Sequence, residues 1–287
     1  MEELKKFIRK YGGERLQNII IWFLRKTGLH NRIILFSMSR AKENRVNLDY
    51  WSGEANLGDA ISPVVVGYAA EKNGIAMEKD VKGTKHLYAI GSIITAGCQD
   101  CTIWGSGCLN TTILSRLRNR KLDVRAVRGP LTRMVLMEHG YAVPEIYGDP
   151  AILMPLIFDP EVEKKYKVSI IPHMNEQEQY RQSACHFIDI RTVDYKKPIR
   201  EIKESELILS SSLHGIILAE AYGVPAILLK PQVGMFKYMD YYYGTGRLEF
   251  PIAESVEEAL TFAPPCIPDF AGMQEKLLTA FPIDLWQ

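Results

Sequence analysis

The sequence predicts an α/β protein made of two Rossmann-like domains that face each other across a cleft. Three observations carry this expectation. Short apolar runs ending at glycine or a polar residue alternate with stretches of helical periodicity. A charged, proline-containing stretch, "FDPEVEKKYK" at 158–167, interrupts the alternation, and the same alternation then restarts. This is the rhythm of doubly wound parallel sheets, which hold ligands at the carboxyl ends of their strands.

In the first half, Asn56 or Asp59 is placed to cap a helix carrying Val64 to Ala70. "KHLYAIGSII" then reads as a strand ending at Gly91, and "TIWGSGCLN" as a strand entering a glycine-rich turn. "LDVRAVRGPLTRMVLMEHG" gives a strand and a helix that stops at Gly140, and "EIYGDPAILM" a short strand into a turn. The loops beginning at Gly91, Gly105, Arg128 and Gly148 should therefore share one sheet edge. In the second half "KVSIIPHMN" and "CHFIDIRT" supply strands, and "PIREIKESELILSSSLHGIILAEAYGVPAILL" a helix, strand, helix, strand series. The division expected is a basic segment at 1–46, a first domain at 47–160 and a second at 161–287, sizes ordinary for domains.

Composition narrows the function. A formal net charge of +1 excludes wholesale nucleic-acid binding, so any anion must be bound locally. Five scattered cysteines with no secretory signal suggest a reducing, cytoplasmic setting. Cys98 and Cys101 form a C-x-x-C with Cys108 nearby, but no second pair completes a zinc motif; ordinary buried thiols are expected and no metal is assigned. Neither a G-x-G-x-x-G after a strand nor a Walker A motif is found.

No run reaches the roughly 18 to 20 apolar residues of a spanning helix. The N-terminus nevertheless interleaves Lys5, Lys6, Arg9, Lys10, Arg15, Arg25, Lys26 and Arg32 with the apolar run Ile19 to Leu24, which includes Trp22 and Phe23. That pattern suits a helix lying on a membrane surface, and it also suits a helix packed on its own domain, since Gly12 and Gly13 break it.

The stretch "LILSSSLHG" runs an apolar strand straight into Ser210, Ser211 and Ser212, after which Gly215 to Tyr222 has helical periodicity. The helix amino end should point into the cleft. Free N–H groups, the helix dipole and several hydroxyls there would suit a phosphate or carboxylate, with His214 in the first turn as a titratable neighbour.

Eight segments in order, "NLGDAIS", "AIGSII", "IWGSG", "VRAVRGPLT", "YGDPAIL", "IIPH", "SSSLHGIILAEAYGVPAI" and "FKYMDYYYGTG", resemble those of the polysaccharide pyruvyl transferases, over roughly Asn47 to Arg247. The resemblance implies a fold like that of the GT-B glycosyltransferases. It also implies transfer of the pyruvyl unit of phosphoenolpyruvate onto a sugar as a ketal, with no cofactor beyond that donor. Its histidine-glycine motif falls on His214, implied to be a general acid, and an arginine of the family falls on Arg128. Many members carry an arginine two residues before the motif histidine, where this chain has Ser212. The substitute cation is expected among Arg128, Arg125, Lys230 and Lys237.

Phosphoenolpyruvate presents a carboxylate and a phosphate, so at least two cationic or helix-terminal sites are needed. Donor contacts are expected from Arg128, Arg125, Ser210, Ser211, Ser212, Gly215, Lys230 and Lys237. Asp59 or Asp149 is the expected base toward the acceptor hydroxyl, although Asp149 before Pro150 equally suits a turn. Acceptor contacts are expected from His173, Asn56, Asp240 and Tyr241, the tyrosines 241–243 being suited either to stacking on a sugar or to packing on the domain. The acceptor implied is a glycan, lipid-linked at the inner membrane face in the fullest form of this reading. Two alternatives remain: a glycosyltransferase using a nucleotide sugar on the same architecture, and a sugar- or anion-binding module with a decayed site.

Overall fold

The computed structural model describes residues 14–34, 39–111 and 114–287, so residues 1–13 and 35–38 of the expected basic segment lie outside the described residues. Helix α1 (Glu14–Lys26) leads through a short antiparallel pair, Ile33–Ile34 with Ser39–Arg40, into the body of the protein.

The first sheet comprises β1 (Val46–Asp49), β2 (Lys85–Tyr88), β3 (Cys101–Trp104) and β4 (Leu122–Ala126), with α2 (Leu57–Ala60) and α3 (Ser62–Lys72) between β1 and β2. All four strands are parallel and lie in sequential order. β1 was not legible in the sequence, because its Asn47 and Asp49 break the apolar run. Both are buried and partnered: Lys42 N donates to Asn47 Oδ1 at 2.9 Å, and Asp49 Oδ2 lies 2.6 Å from His86 Nδ1. The sequential order also corrects an expectation. A doubly wound sheet reverses its strand order, and the first sheet has no such point.

Helix α4 (Pro130–Glu138) follows β4, and Gly140 with φ +84° ends that segment as its sequence foretold. Tyr147 forms only an isolated parallel bridge with Val127, and Pro150–Leu156 is a 3-10 helix capped by Asp149 rather than a simple turn.

The second sheet contains β5 (Tyr166–Ile171), β6 (His186–Phe187), β7 (Ser205–Ser210), β8 (Ala226–Leu229) and β9 (Ile252–Ala253). Helix α5 (Lys196–Lys203) precedes β7, α6 (Leu213–Ala221) joins β7 to β8, and α7 (Phe236–Gly244) joins β8 to β9. The order is β9-β8-β7-β5-β6, all parallel. Here the order does reverse, between the neighbouring strands β5 and β7, which makes that crevice the favoured ligand position.

One apolar core joins the two sheets, taking in Leu87 and Trp104 of the first and Ile208 and Leu228 of the second. The end of the chain returns to the first sheet. From α8 (Ala271–Thr279) Leu277 O accepts from Trp104 Nε1 at 2.8 Å, and Leu285 O accepts from Lys85 Nζ at 2.8 Å. Residues 271–287 therefore complete the packing of the first half, across the 160/161 boundary read from the linker. Cys98, Cys101 and Cys108 are buried free thiols, and burial pushes Cys101 and Cys108 up to about 12, well out of thiolate range at neutral pH.

Candidate active site

The sequence places a cap, a glycine loop or a helix start after each strand that enters the cleft, and these ends converge on a pocket of about 130 Å³. Asn56, Asp59, Ser92, Arg128 and Asp149 line it from the first half, and His173, Ser212, His214 and Lys237 from the second, with Leu109, Met174, Ile190 and Leu213 as apolar wall.

His214 stands at the centre. Ser212 caps α6, its hydroxyl accepting from Gly215 N at 3.5 Å, so His214 occupies the second position of the helix. Its Nε2 lies 3.6 Å from Asp149 Oδ2, and neither atom has a hydrogen-bond partner among the described residues. Asp149 is fixed by its other oxygen, which accepts from Ala151 N at 3.0 Å. It is thus both the turn residue and a buried carboxylate facing the imidazole.

Asp59 approaches from α2. Asn56 caps that helix and donates through Nδ2 to Asp59 Oδ2 at 2.6 Å. Burial raises the Asp59 carboxyl from 3.8 to about 6, against the lowering pull of His214 and of the Asn56 hydrogen bond. The α2 end is tied to the second half by Leu57 N, which donates to Ile190 O at 2.8 Å.

Of the four candidate cations, the structure brings two to the pocket. Arg128 is 1% exposed and heavily engaged: Nε donates to Asp240 Oδ2 at 3.0 Å, Nη1 to Ser92 Oγ at 2.7 Å and Nη2 to Cys108 O at 2.7 Å. Asp240 also accepts from Thr132 N and Thr132 Oγ1 at 2.8 and 2.7 Å, so it is the buried counter-ion of Arg128 and not a group presented to a sugar.

Lys237, on α7, is 8% exposed, and among the described residues no hydrogen bond or ion pair takes up its ammonium; its nearest ring contact is Tyr238, 5.0 Å from the centroid. Burial first, and Arg128 second, lower it to about 8. His173, at the end of β5, is pushed down to about 4 by burial and then by Lys237, so at neutral pH it is a neutral hydrogen-bonding group.

Several expected contacts are made elsewhere. Arg125 bonds Asp123 and Asp284 at 2.8 Å on the outer face of β4, because strand alternation turns it away from the cleft. Lys230 pairs with Glu254 at 2.6 Å in an exposed position. Tyr241 is buried and donates to Glu220 Oε2 at 2.6 Å, and Tyr242 is buried beside it, since "FKYMDYYYG" forms a packed helix that turns these rings into the core.

The serine hydroxyls are also spent inside the fold. Ser210 Oγ donates to Ile171 O at 2.6 Å, and Ser211 Oγ accepts from His173 N at 2.9 Å, leaving only Ser212 on the pocket wall. Gly215 is required by packing, as a Cβ there would run into Ser210 Oγ and Ile171. Ser92, in the loop after Gly91, and Gly58, beside Asp59 in "NLGD", were not among the expected site residues, because neither residue type announces chemistry.

Comparison with known proteins follows this geometry. The family model described as polysaccharide pyruvyl transferase matches residues 103–232, which include Arg128, Asp149, His173 and His214. The chain is 34% identical over 148 residues to the succinoglycan biosynthesis protein ExoV of Rhizobium meliloti, covering 48% of this chain and 45% of that protein. It is 26% identical over 191 residues to an uncharacterized protein of Acanthamoeba polyphaga mimivirus, covering 63% of this chain and 66% of that one. In each case the match takes in less than two thirds of the relative's length. The crystal structure of an uncharacterized protein from Klebsiella pneumoniae has a related fold, with a TM-score of 0.50 at 14% identity over 85% of this chain and 99% of that one. The segment 103–232, which carries these site residues, is thus similar to the polysaccharide pyruvyl transferase family, and the ExoV likeness agrees with that similarity.

Proposed function

We propose that the pocket transfers the pyruvyl unit of phosphoenolpyruvate to two hydroxyls of a sugar, forming a cyclic ketal on a polysaccharide or a lipid-linked glycan intermediate. The observation that carries this reading is the clustering of His214 with two cations and two buried carboxylates at the β5/β7 reversal point. The two halves act as Rossmann-like domains of a GT-B-like arrangement, with the donor between them.

Lys237 and the remaining N–H capacity of Arg128 hold the donor's phosphate and carboxylate, helped by the amino end of α6. His214, its Nε2 3.6 Å from Asp149 Oδ2, protonates the donor methylene. The adjacent carbon gains cationic character and is attacked by a sugar hydroxyl, whose proton passes to Asp59, a carboxylate poised near 6. Phosphate departs toward Lys237, and a second hydroxyl closes the ketal, its proton returning to His214. Neutral His173 and Asn56 orient the acceptor. No metal is assigned a step. The reaction belongs at the cytoplasmic face of the membrane, in peripheral contact with it through the N-terminal segment.

Thermal unfolding with phosphoenolpyruvate, pyruvate, phosphate and nucleotide sugars, in wild type and Lys237→Gln, tests this reading. A ligand at a hundred times its dissociation constant stabilises by about 2.7 kcal/mol, or several degrees. A shift specific to phosphoenolpyruvate and lost in Lys237→Gln is expected. A shift with a nucleotide sugar alone would replace the reading with glycosyl transfer, and donor binding without turnover on any glycan would mark a binding module.

A further inference from the structure

Helix α1 is fastened along one side and leaves an apolar strip outside. Asn18 Nδ2 donates to Ser115 Oγ at 3.3 Å, and Arg25 donates to Cys98 O at 3.0 Å, to Asp100 Oδ1 at 2.9 Å and to Asn119 O. Ile20, Ile21 and Leu24 are half-buried. Leu16, Ile19, Trp22 and Phe23, by contrast, are 39%, 58%, 60% and 55% exposed. Their spacing of three and four residues puts them on one side of the helix. Single exposed apolar residues are ordinary, but a continuous strip holding two aromatics is an interaction surface.

Charge identifies what covers it. Residues 1–34 hold eight Lys and Arg against three Glu, in a chain whose net charge is +1, so the excess of positive charge belongs to this stretch of sequence and the remainder is net acidic. Lys26 and Arg32 are exposed, and Lys26 Nζ lies 5.9 Å above the Trp22 ring. A second copy docking on this strip would set one cationic segment against another. A bilayer rich in anionic lipid would accept both the aromatic strip and the exposed Lys26 and Arg32.

No described helix is long and apolar enough to cross a membrane. We infer that α1 instead lies in the boundary between headgroups and acyl chains of an anionic bilayer, with Leu16, Ile19, Trp22 and Phe23 inserted. Arg25, paired with Asp100, ties the inserted helix to the rigid first sheet, so the pocket is held at a fixed attitude to the lipid surface. The inference stands apart from the chemistry of the pocket.

Sedimentation of the full chain with vesicles tests it, using phosphatidylcholine alone and equal parts phosphatidylcholine and phosphatidylglycerol. Wild type should bind the mixed vesicles, less so as salt rises, and the double variant Trp22→Ser with Phe23→Ser should bind on the order of tenfold more weakly. Both side chains point away from the protein, so the variant should unfold at the wild-type temperature. Equal partitioning of the two proteins, or no binding of wild type to either vesicle, overturns the inference. A dimer lost in the double variant, without vesicle binding, would assign the strip to a second copy and overturn it equally. Vesicle binding is read without turnover, so its failure and that of the pyruvyl reading are separable.

Discussion

Gly58 lies against the imidazole of His214, so closely that a Cβ at position 58 would overlap the ring at Nδ1, Cγ and Cε1. The contact joins α2 of the first half to α6 of the second, and it fixes the ring that faces Asp149. A glycine is required there by the ring and not by its own backbone, since it sits inside a helix.

Gly58→Ala should therefore displace His214. Overpacking of this kind costs about 1–3 kcal/mol, and a misplaced proton donor costs about 10²-fold in kcat. The affinity for phosphoenolpyruvate, held mainly by Lys237 in the proposed mechanism, should change only a few-fold. Kinetics together with the NMR signal of the His214 ring would check this; an unmoved ring signal with normal kcat would refute the positioning role.

Asp59 should limit stability at neutral pH. Its folded pKa of about 6 lies above its ordinary 3.8, so the folded state binds the extra proton. The stability gained from that proton is full below about 4 and is lost as pH rises through about 6. Asp59→Asn removes this dependence and should be more stable than wild type above about pH 6, by on the order of 3 kcal/mol, with no such pH-dependent difference below about pH 4. Urea unfolding across that range measures it. The same variant should lose pyruvyl transfer if Asp59 is the base.

Lys237 should give donor binding an alkaline limit under the proposed mechanism. Its ammonium loses its proton near 8, so affinity for phosphoenolpyruvate should fall as pH rises through that value. Lys237→Gln should bind weakly at every pH and lose the limb. Calorimetric titration between neutral and alkaline pH distinguishes the two, and an identical limb in the variant would remove Lys237 from the site.

Arg128 should behave differently under mutation. Arg128→Ala leaves Asp240 buried without its counter-ion, which costs about 3–5 kcal/mol of stability. Its loss of donor binding is then mixed with damage to the fold. Chemical unfolding of Arg128→Ala beside Lys237→Gln should show a large drop for the first and little for the second.

The local grammar of the chain was legible because it rests on nearest-neighbour chemistry. Apolar runs ending in glycine or a polar residue marked β2, β3, β4, β5, β7 and β8, Gly140 marked a helix end, and "SSSLHG" placed His214 at a helix start. β1 was not legible, because a strand with Asn47 and Asp49 becomes tolerable only when partners distant in sequence satisfy them. The sequence left open whether the tyrosines 241–243 of α7 stack on a sugar or pack on the domain for a related reason: the exposure of three consecutive tyrosines depends on what they face, and Tyr241 and Tyr242 are buried.

By itself, then, the sequence determined the α/β class, the pieces of the pocket and the residue types able to do acid–base and anion chemistry. Only the tertiary structure decided which of four cations stays available, by pairing Arg125 with Asp123 and Asp284, Lys230 with Glu254 and Arg128 with Asp240 while leaving Lys237 in the pocket. A charge is inscribed in the sequence, but its freedom depends on the distance to the opposite charge, and that distance exists only once the chain has folded.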